Sequence, residues 1–189
     1  MSTVLLRRMG LAALAAVSVA SATTVEAPAL RTPLAALVSA AAQPLQVADP
    51  VAAVKWITHG DIEDPARVQQ VLDAVATTAH TRGIDADYVR RIFTDQIHAT
   101  EAVEYRRFAE WKLDPAAAPP SAPDLSASRS RIDGLNTTIV DELAAQWDLL
   151  HSPACVPALR DAADTAATTY GLDPDYRDAL AFATHSYCG

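Results

Sequence analysis

Apolar residues recur at helical spacing along most of the chain. Leu34, Leu37, Val38, Ala41 and Leu45 share one face of a helix, as do Val68, Val71, Leu72 and Val75. The alternating β-branched runs and tight Asn-Gly or Asp-Gly turns that would announce hairpins are missing. A polar capping residue stands directly before proline in Thr32-Pro33, Asp49-Pro50, Asp64-Pro65, Ser152-Pro153 and Asp173-Pro174. In each pair the side-chain oxygen can accept from an orphan amide of the first turn, while proline has no amide to leave unpaired and a φ already suited to a helix start. Asp85 offers a further start, and Gly83 and Gly171 stand where helices commonly stop. The resulting map is all-α, a single-domain helical bundle with helices near 33–43, 50–58, 65–82, 86–112, 126–150, 153–170 and 174–187. Between the two longest, Pro115, Pro119, Pro120 and Pro123 exclude helix and predict a stiff crossover between antiparallel neighbours.

The amino end has a different pattern. Arg7 and Arg8 precede an apolar run from Met9 to Ala20, and Ala20-Ser21-Ala22 supplies a small-residue cleavage site, so residues 1–22 are expected to be a signal peptide and 23–189 the folded domain. The run is short for a membrane span, which needs about 20 apolar residues, although an uncleaved anchor is the alternative. Removing both arginines and no acid takes the formal charge from −8 to −10. That balance argues against nucleic acid or an anionic membrane as partner. Any anion must therefore be held by a local cluster, and because Lys55 and Lys112 are the only lysines, mostly by arginine. In an exported protein Cys155 and Cys188 are expected to pair, closing a loop of about 34 residues worth roughly 3–4 kcal/mol. Two cysteines at this separation match no zinc spacing.

Gln96, Thr100 and Glu104 stack at spacing four on the helix near 86–112. Such a stripe is either a solvated face or, with Phe93, Ile97 and Phe108 close beside it, one that looks inward. Lys55 lies among Val51, Ala52, Val54 and Trp56, where it can snorkel to water or serve a site. Arg67 and Arg129 each fall in the first turn of a predicted helix, where the positive dipole end disfavours a cation without a nearby anion. Asp64 could be that anion for Arg67; a bound ligand is the other answer. The histidines are scattered, and no Gly-rich phosphate loop, metal-binding His-x-x-x-His helix or Gly-x-Ser-x-Gly elbow is present. The residue types and their spacing define a helical domain with a candidate anion pocket.

These residues lie in longer strings: Val47-Ala48-Asp49-Pro50-Val51-Ala52-Ala53 before Lys55-Trp56, Ile62-Glu63-Asp64 before Arg67, Asp95-Gln96-Ile97, Ala99-Thr100-Glu101-Ala102 leading to Glu104-Tyr105, Trp111-Lys112-Leu113, Pro123-Asp124-Leu125-Ser126-Ala127-Ser128-Arg129-Ser130, and Ser186-Tyr187-Cys188. In them the chain resembles the exported subclass of the all-helical chorismate mutases, from about Leu34 to Cys188. The resemblance implies a Claisen rearrangement of chorismate to prephenate, without cofactor or metal, in a homodimer whose pockets each lie within one protomer. It implies Lys55 and Glu104 as catalytic residues acting at the ether oxygen, Arg67 and Arg129 as carboxylate ligands, and Thr100 as a pocket-lining residue. Asp64 is expected to position Arg67 or to meet the substrate hydroxyl through its backbone. For Glu104 to donate it must be protonated, which requires burial to raise its pKa. The family pattern also has an arginine eleven residues before the lysine, and here that position is Pro44. The proline is expected to kink or end the first helix and to leave a carboxylate ligand missing, with Gln43 or Gln46 as neutral substitutes. A catalytically inactive relative that keeps an anion-binding pocket is the alternative.

Overall fold

The computed structural model describes residues 32–122 and 124–189; residues 1–22, the expected signal peptide, lie outside the described residues. The helices are α1 (Ala35–Thr58), α2 (Pro65–Arg82), α3 (Ala86–Leu113), α4 (Leu125–Ala145), α5 (Trp147–Leu150), α6 (Cys155–Thr169) and α7 (Pro174–Ala183), with a short 3₁₀ turn at Pro115–Ala117. Among the described residues there is no strand.

Three of the capping signals work as read. The side chains of Asp64, Asp85 and Asp173 accept from the amides of Arg67, Tyr88 and Tyr176. Gly83 and Gly171 adopt φ of +72° and +59°, the left-handed region open to glycine, just past the ends of α2 and α6. Asp124 caps α4 through the amide of Ser126.

The two helices expected at 33–43 and 50–58 are one. α1 runs unbroken through Pro44 and Pro50, and Asp49 does not cap a helix but holds Arg107, accepting from its Nε at 2.7 Å and its Nη2 at 3.2 Å. Interior proline removes a helical hydrogen bond and ordinarily kinks or breaks the helix. Burial outweighs that here: α1 packs against α3, α4, α6 and α7 at once, and Leu37, Val38, Ala41, Ala42, Leu45 and Ala48 are fully buried. A helix apolar on nearly every side belongs at the centre of a bundle rather than on its surface.

Three other boundaries move. The helix expected over 126–150 turns at Gln146 into α5, which seats Leu150 in the core. Ser152-Pro153 forms a turn before α6 rather than its first residues, with Ser152 O accepting from the amide of Cys155. α7 ends at Ala183, and the chain beyond it is pinned: Tyr187 is fully buried, Tyr88 donates its hydroxyl to Tyr187 O at 2.5 Å, and Cys188 is bonded to Cys155. The bridge thus fastens the terminal segment across the start of α6.

Ion pairs and one tyrosine–carboxylate hydrogen bond set the register of the helices around the centre. Asp73 meets Arg90 and Glu63 meets Tyr105, so α2 and α3 are antiparallel. Arg67 meets Asp133 and Arg82 meets Asp141, so α2 and α4 run the same way. These pairs are exposed and each contributes little stability, typically under about 1 kcal/mol. Their geometric consequence is larger, because α1 to α4 together enclose a cavity.

Candidate active site

The cavity has a volume of about 140 Å³ and is lined from α1 by Pro44, Val51 and Lys55, from α2 and its approach by Ile62, Asp64, Arg67, Val68 and Val71, from α3 by Phe93, Gln96, Ile97, Thr100, Glu101 and Glu104, and from α4 by Leu125, Arg129, Ile132 and Asn136. Every residue expected to form a site is on this wall: Lys55, Glu104, Arg67, Arg129, Thr100 and Asp64, with Pro44 among them. The stripe on α3 therefore looks inward.

Lys55 and Glu104 are in direct contact. Lys55 Nζ donates to Glu104 Oε2 at 2.7 Å and to the Ile62 carbonyl at 2.6 Å. An ammonium has three N–H donors, so one remains free. Trp56, Phe108 and Trp111 cluster edge-on nearby, at 5.2 Å and 5.6 Å between ring centres, and close this end of α1 against α3. Glu104 is 3% exposed. Burial pushes its pKa up to about 7, against the opposing pull of Lys55 and with a further push from Glu101. Glu101, half-buried one turn away, is itself raised, first by burial. The acid is thus poised between its neutral and ionised forms near physiological pH.

Arg67 and Arg129 are placed differently. The Asp64 carboxylate accepts from the backbone amide of Arg67 at 3.0 Å, so Asp64 caps the helix and does not hold the guanidinium. That role falls to Asp133 of α4, bonded to Arg67 Nη2. Arg129 is exposed, has no ion-pair partner among the described residues, and stands in the first turns of α4 where the helix dipole already favours an anion. Thr100 gives its hydroxyl to Gln96 O at 2.9 Å. Gln96 gives its Nε2 to the Ala41 carbonyl at 3.2 Å, and its Oε1 is buried without a partner.

Neither glutamine expected to fill in for a lost arginine is on the wall. Gln43 turns back on its own helix, donating to Ser39 O at 3.2 Å, and Gln46 is absent from the lining. The polar residues that do line the cavity beyond the expected set are Gln96, Glu101 and Asn136. Asn136 carries no signal in isolation. Its position does: Leu125, Arg129, Ile132 and Asn136 follow the 4-3-4 spacing of one helical face, so placing Arg129 inward places Asn136 inward as well.

A helical bundle with cations and a buried acid around one cavity defines the class, and the comparisons name it. The family model for chorismate mutase type II matches residues 35–105. The chain is 56% identical to the secreted chorismate mutase of Mycolicibacterium smegmatis over 97% of its own length and 99% of that protein's, and 52% identical to the secreted chorismate mutase of Mycobacterium tuberculosis over 82% and 78%. Among solved structures, a chorismate mutase from Burkholderia thailandensis superposes with a TM-score of 0.77 at 34% identity, covering 83% of this chain and 99% of that one. The chain belongs to the chorismate mutase type II family.

Proposed function

We propose that the chain is an exported chorismate mutase that converts chorismate to prephenate in this cavity, with residues 1–22 removed on export. The observation that carries the reading is the Lys55–Glu104 pair: a cation with one uncommitted N–H and a buried carboxyl of raised pKa, side by side on the wall of a cavity with Arg67 and Arg129. The family resemblance also implies a homodimer, and the cavity lining described above comes from one protomer.

The reaction suits such a wall. One carbon–oxygen bond breaks as one carbon–carbon bond forms within the same molecule, with no nucleophile, base or redox partner. Negative charge grows on the ether oxygen as its bond to the ring opens. Donors fixed where that charge develops stabilise the transition state more than the ground state. The free N–H of Lys55 is one such donor. Glu104, with Oε2 on Lys55, supplies a second through a proton on its other oxygen. Arg129 and Arg67 face the substrate carboxylates, and the mostly apolar lining holds the molecule folded with its reacting ends together.

The pH dependence follows from Glu104. The neutral acid donates and the carboxylate cannot, so turnover is present below the pKa of Glu104 and falls as pH rises through it. That pKa is about 7 in the unliganded pocket, and the bound dianion moves it higher. Glu104→Gln donates at every pH and is expected to flatten the alkaline fall in kcat. The check is kcat for chorismate consumption from pH 5 to 9 in parent and variant. Superimposable profiles would show that another group titrates.

A further inference from the structure

The lining residues that fall at the end of the cavity beside Pro44, namely Val71, Phe93, Gln96 and Asn136, are uncharged. Gln96 reaches Ala41, one turn before Pro44, while Glu104 reaches Lys55 eleven residues after it, so α1 and α3 run the same way along the cavity with Gln96 and Pro44 at one end and the Lys55–Glu104 pair at the other. The distance along α1 from Pro44 to Lys55 is roughly 16 Å at the helical rise. Asn136 lies two turns beyond Arg129 and just past Asp133, which is level with Arg67. Because α4 runs parallel to α2 and antiparallel to α3, Asn136 falls towards Val71, Phe93 and Gln96, at the Pro44 end.

The polar groups at that end differ in what they can offer. Gln96 commits one of the two N–H bonds of its Nε2 to Ala41 O, leaving one N–H beside a buried, unpartnered Oε1 that would repel an anion. Asn136 is 8% exposed and makes no side-chain hydrogen bond with any described residue, so both N–H bonds of its amide are uncommitted. An amide left open on a cavity wall is satisfied by whatever occupies the cavity, water or substrate. The two carboxylates of chorismate only accept hydrogen bonds. Of the donors elsewhere, Lys55 has one N–H left and is directed to the ether oxygen, Arg67 is shared with Asp133, and Arg129, without an ion-pair partner among the described residues, stands two turns before Asn136 on α4.

We propose that Asn136 is a substrate-binding residue whose Nδ2 donates to a substrate carboxylate at the Pro44 end, a neutral anion subsite. This rests on the mutase reading, and it adds a ligand from α4 that the lysine, glutamate and two arginines do not include. A neutral donor holds ground state and transition state alike, because the carboxylate charge does not change during the rearrangement. Its loss therefore acts on KM rather than kcat.

The test measures kcat and KM for chorismate together with the equilibrium binding of prephenate, a dianion of the same size that undergoes no turnover. Asn136→Ala is expected to raise KM and the prephenate Kd about ten-fold with kcat little changed. Asn136→Asp is expected to raise both further, because a carboxylate would then face a carboxylate. In a Pro44→Arg background, where a guanidinium serves the same end, Asn136→Ala should cost less than it does in the parent. Asn136→Ser repeats the comparison if the alanine form does not fold. An alanine variant within about two-fold of the parent in both constants overturns the proposal, as does an aspartate variant that binds prephenate as tightly as the parent, which would place a hydroxyl rather than a carboxylate there. A parent that binds prephenate without turning over chorismate contradicts the mutase reading and leaves the Asn136 comparison readable through Kd. A parent that binds no prephenate overturns both.

Discussion

Lys55→Ala is expected to lower kcat and kcat/KM together, by ten-fold to more than a hundred-fold on the scale of a charged hydrogen bond worth about 1.5–3 kcal/mol. Among the described residues Lys55 is the cation bonded to the buried acid, and its free N–H stands beside Glu104. The fold should survive, since alanine is the best helix former and the lysine side chain is already 18% exposed. A second effect separates a mechanistic lysine from a structural one. Lys55 holds the pKa of Glu104 down against burial, so its removal lets that pKa rise. The residual activity of the variant should then persist to higher pH than that of the parent. The measurement is kcat against pH for both proteins. Undiminished turnover would remove Lys55 from the chemistry.

Pro44→Arg is expected to raise kcat/KM by roughly ten-fold or more, on the same energy scale. Pro44 is buried on the cavity wall, and an arginine there would bring a guanidinium able to take a carboxylate through two parallel hydrogen bonds. Pro44→Ala isolates the backbone. α1 is already continuous through Pro44, so alanine repairs no break; it restores the N–H that the Ala40 carbonyl lacks and should raise thermal stability without raising kcat/KM. Steady-state kinetics beside a thermal melt on the two variants tell charge from helix. An equal kinetic gain from alanine would mean that backbone geometry was the defect, and no gain from arginine would mean that Asn136 or another ligand already serves the carboxylate.

How far the site could be foreseen depended on how local each cause was. Asp64, Asp85 and Asp173 cap helices because a carboxylate, a proline or polar neighbour and an amide three residues on are all contained in one short segment. Asp49-Pro50 carries the same local signal and means something else, because the burial of α1 among four helices and the reach of Arg107 from α3 are tertiary facts. The same holds for charge. A cation at the start of α2 correctly asked for an anion, but the adjacent Asp64 spends its carboxylate on the Arg67 amide, and the guanidinium finds Asp133, sixty-six residues away. The stripe of Gln96, Thr100 and Glu104 was visible as a stripe; its inward direction follows only from the packing of α1 and α4 over it. The assignment of Lys55, Glu104, Arg67 and Arg129 to one site came from family resemblance, and all four line the cavity. Asn136 had no place in that pattern; only its 4-3-4 spacing with Leu125, Arg129 and Ile132 marks it, once Arg129 is placed inward.

This cavity, with Pro44 in place of an arginine, is expected to turn over chorismate. The direct measurement is the disappearance of chorismate and the appearance of prephenate with purified mature protein at a pH below 7, with a Lys55→Ala, Arg129→Ala double variant as the control for the spontaneous reaction. Stoichiometric conversion by the parent, saturable in chorismate and lost in the double variant, is the expected result. A parent that converts chorismate no faster than the double variant, while still binding prephenate, would contradict it and leave the protein an anion-binding relative of the mutases.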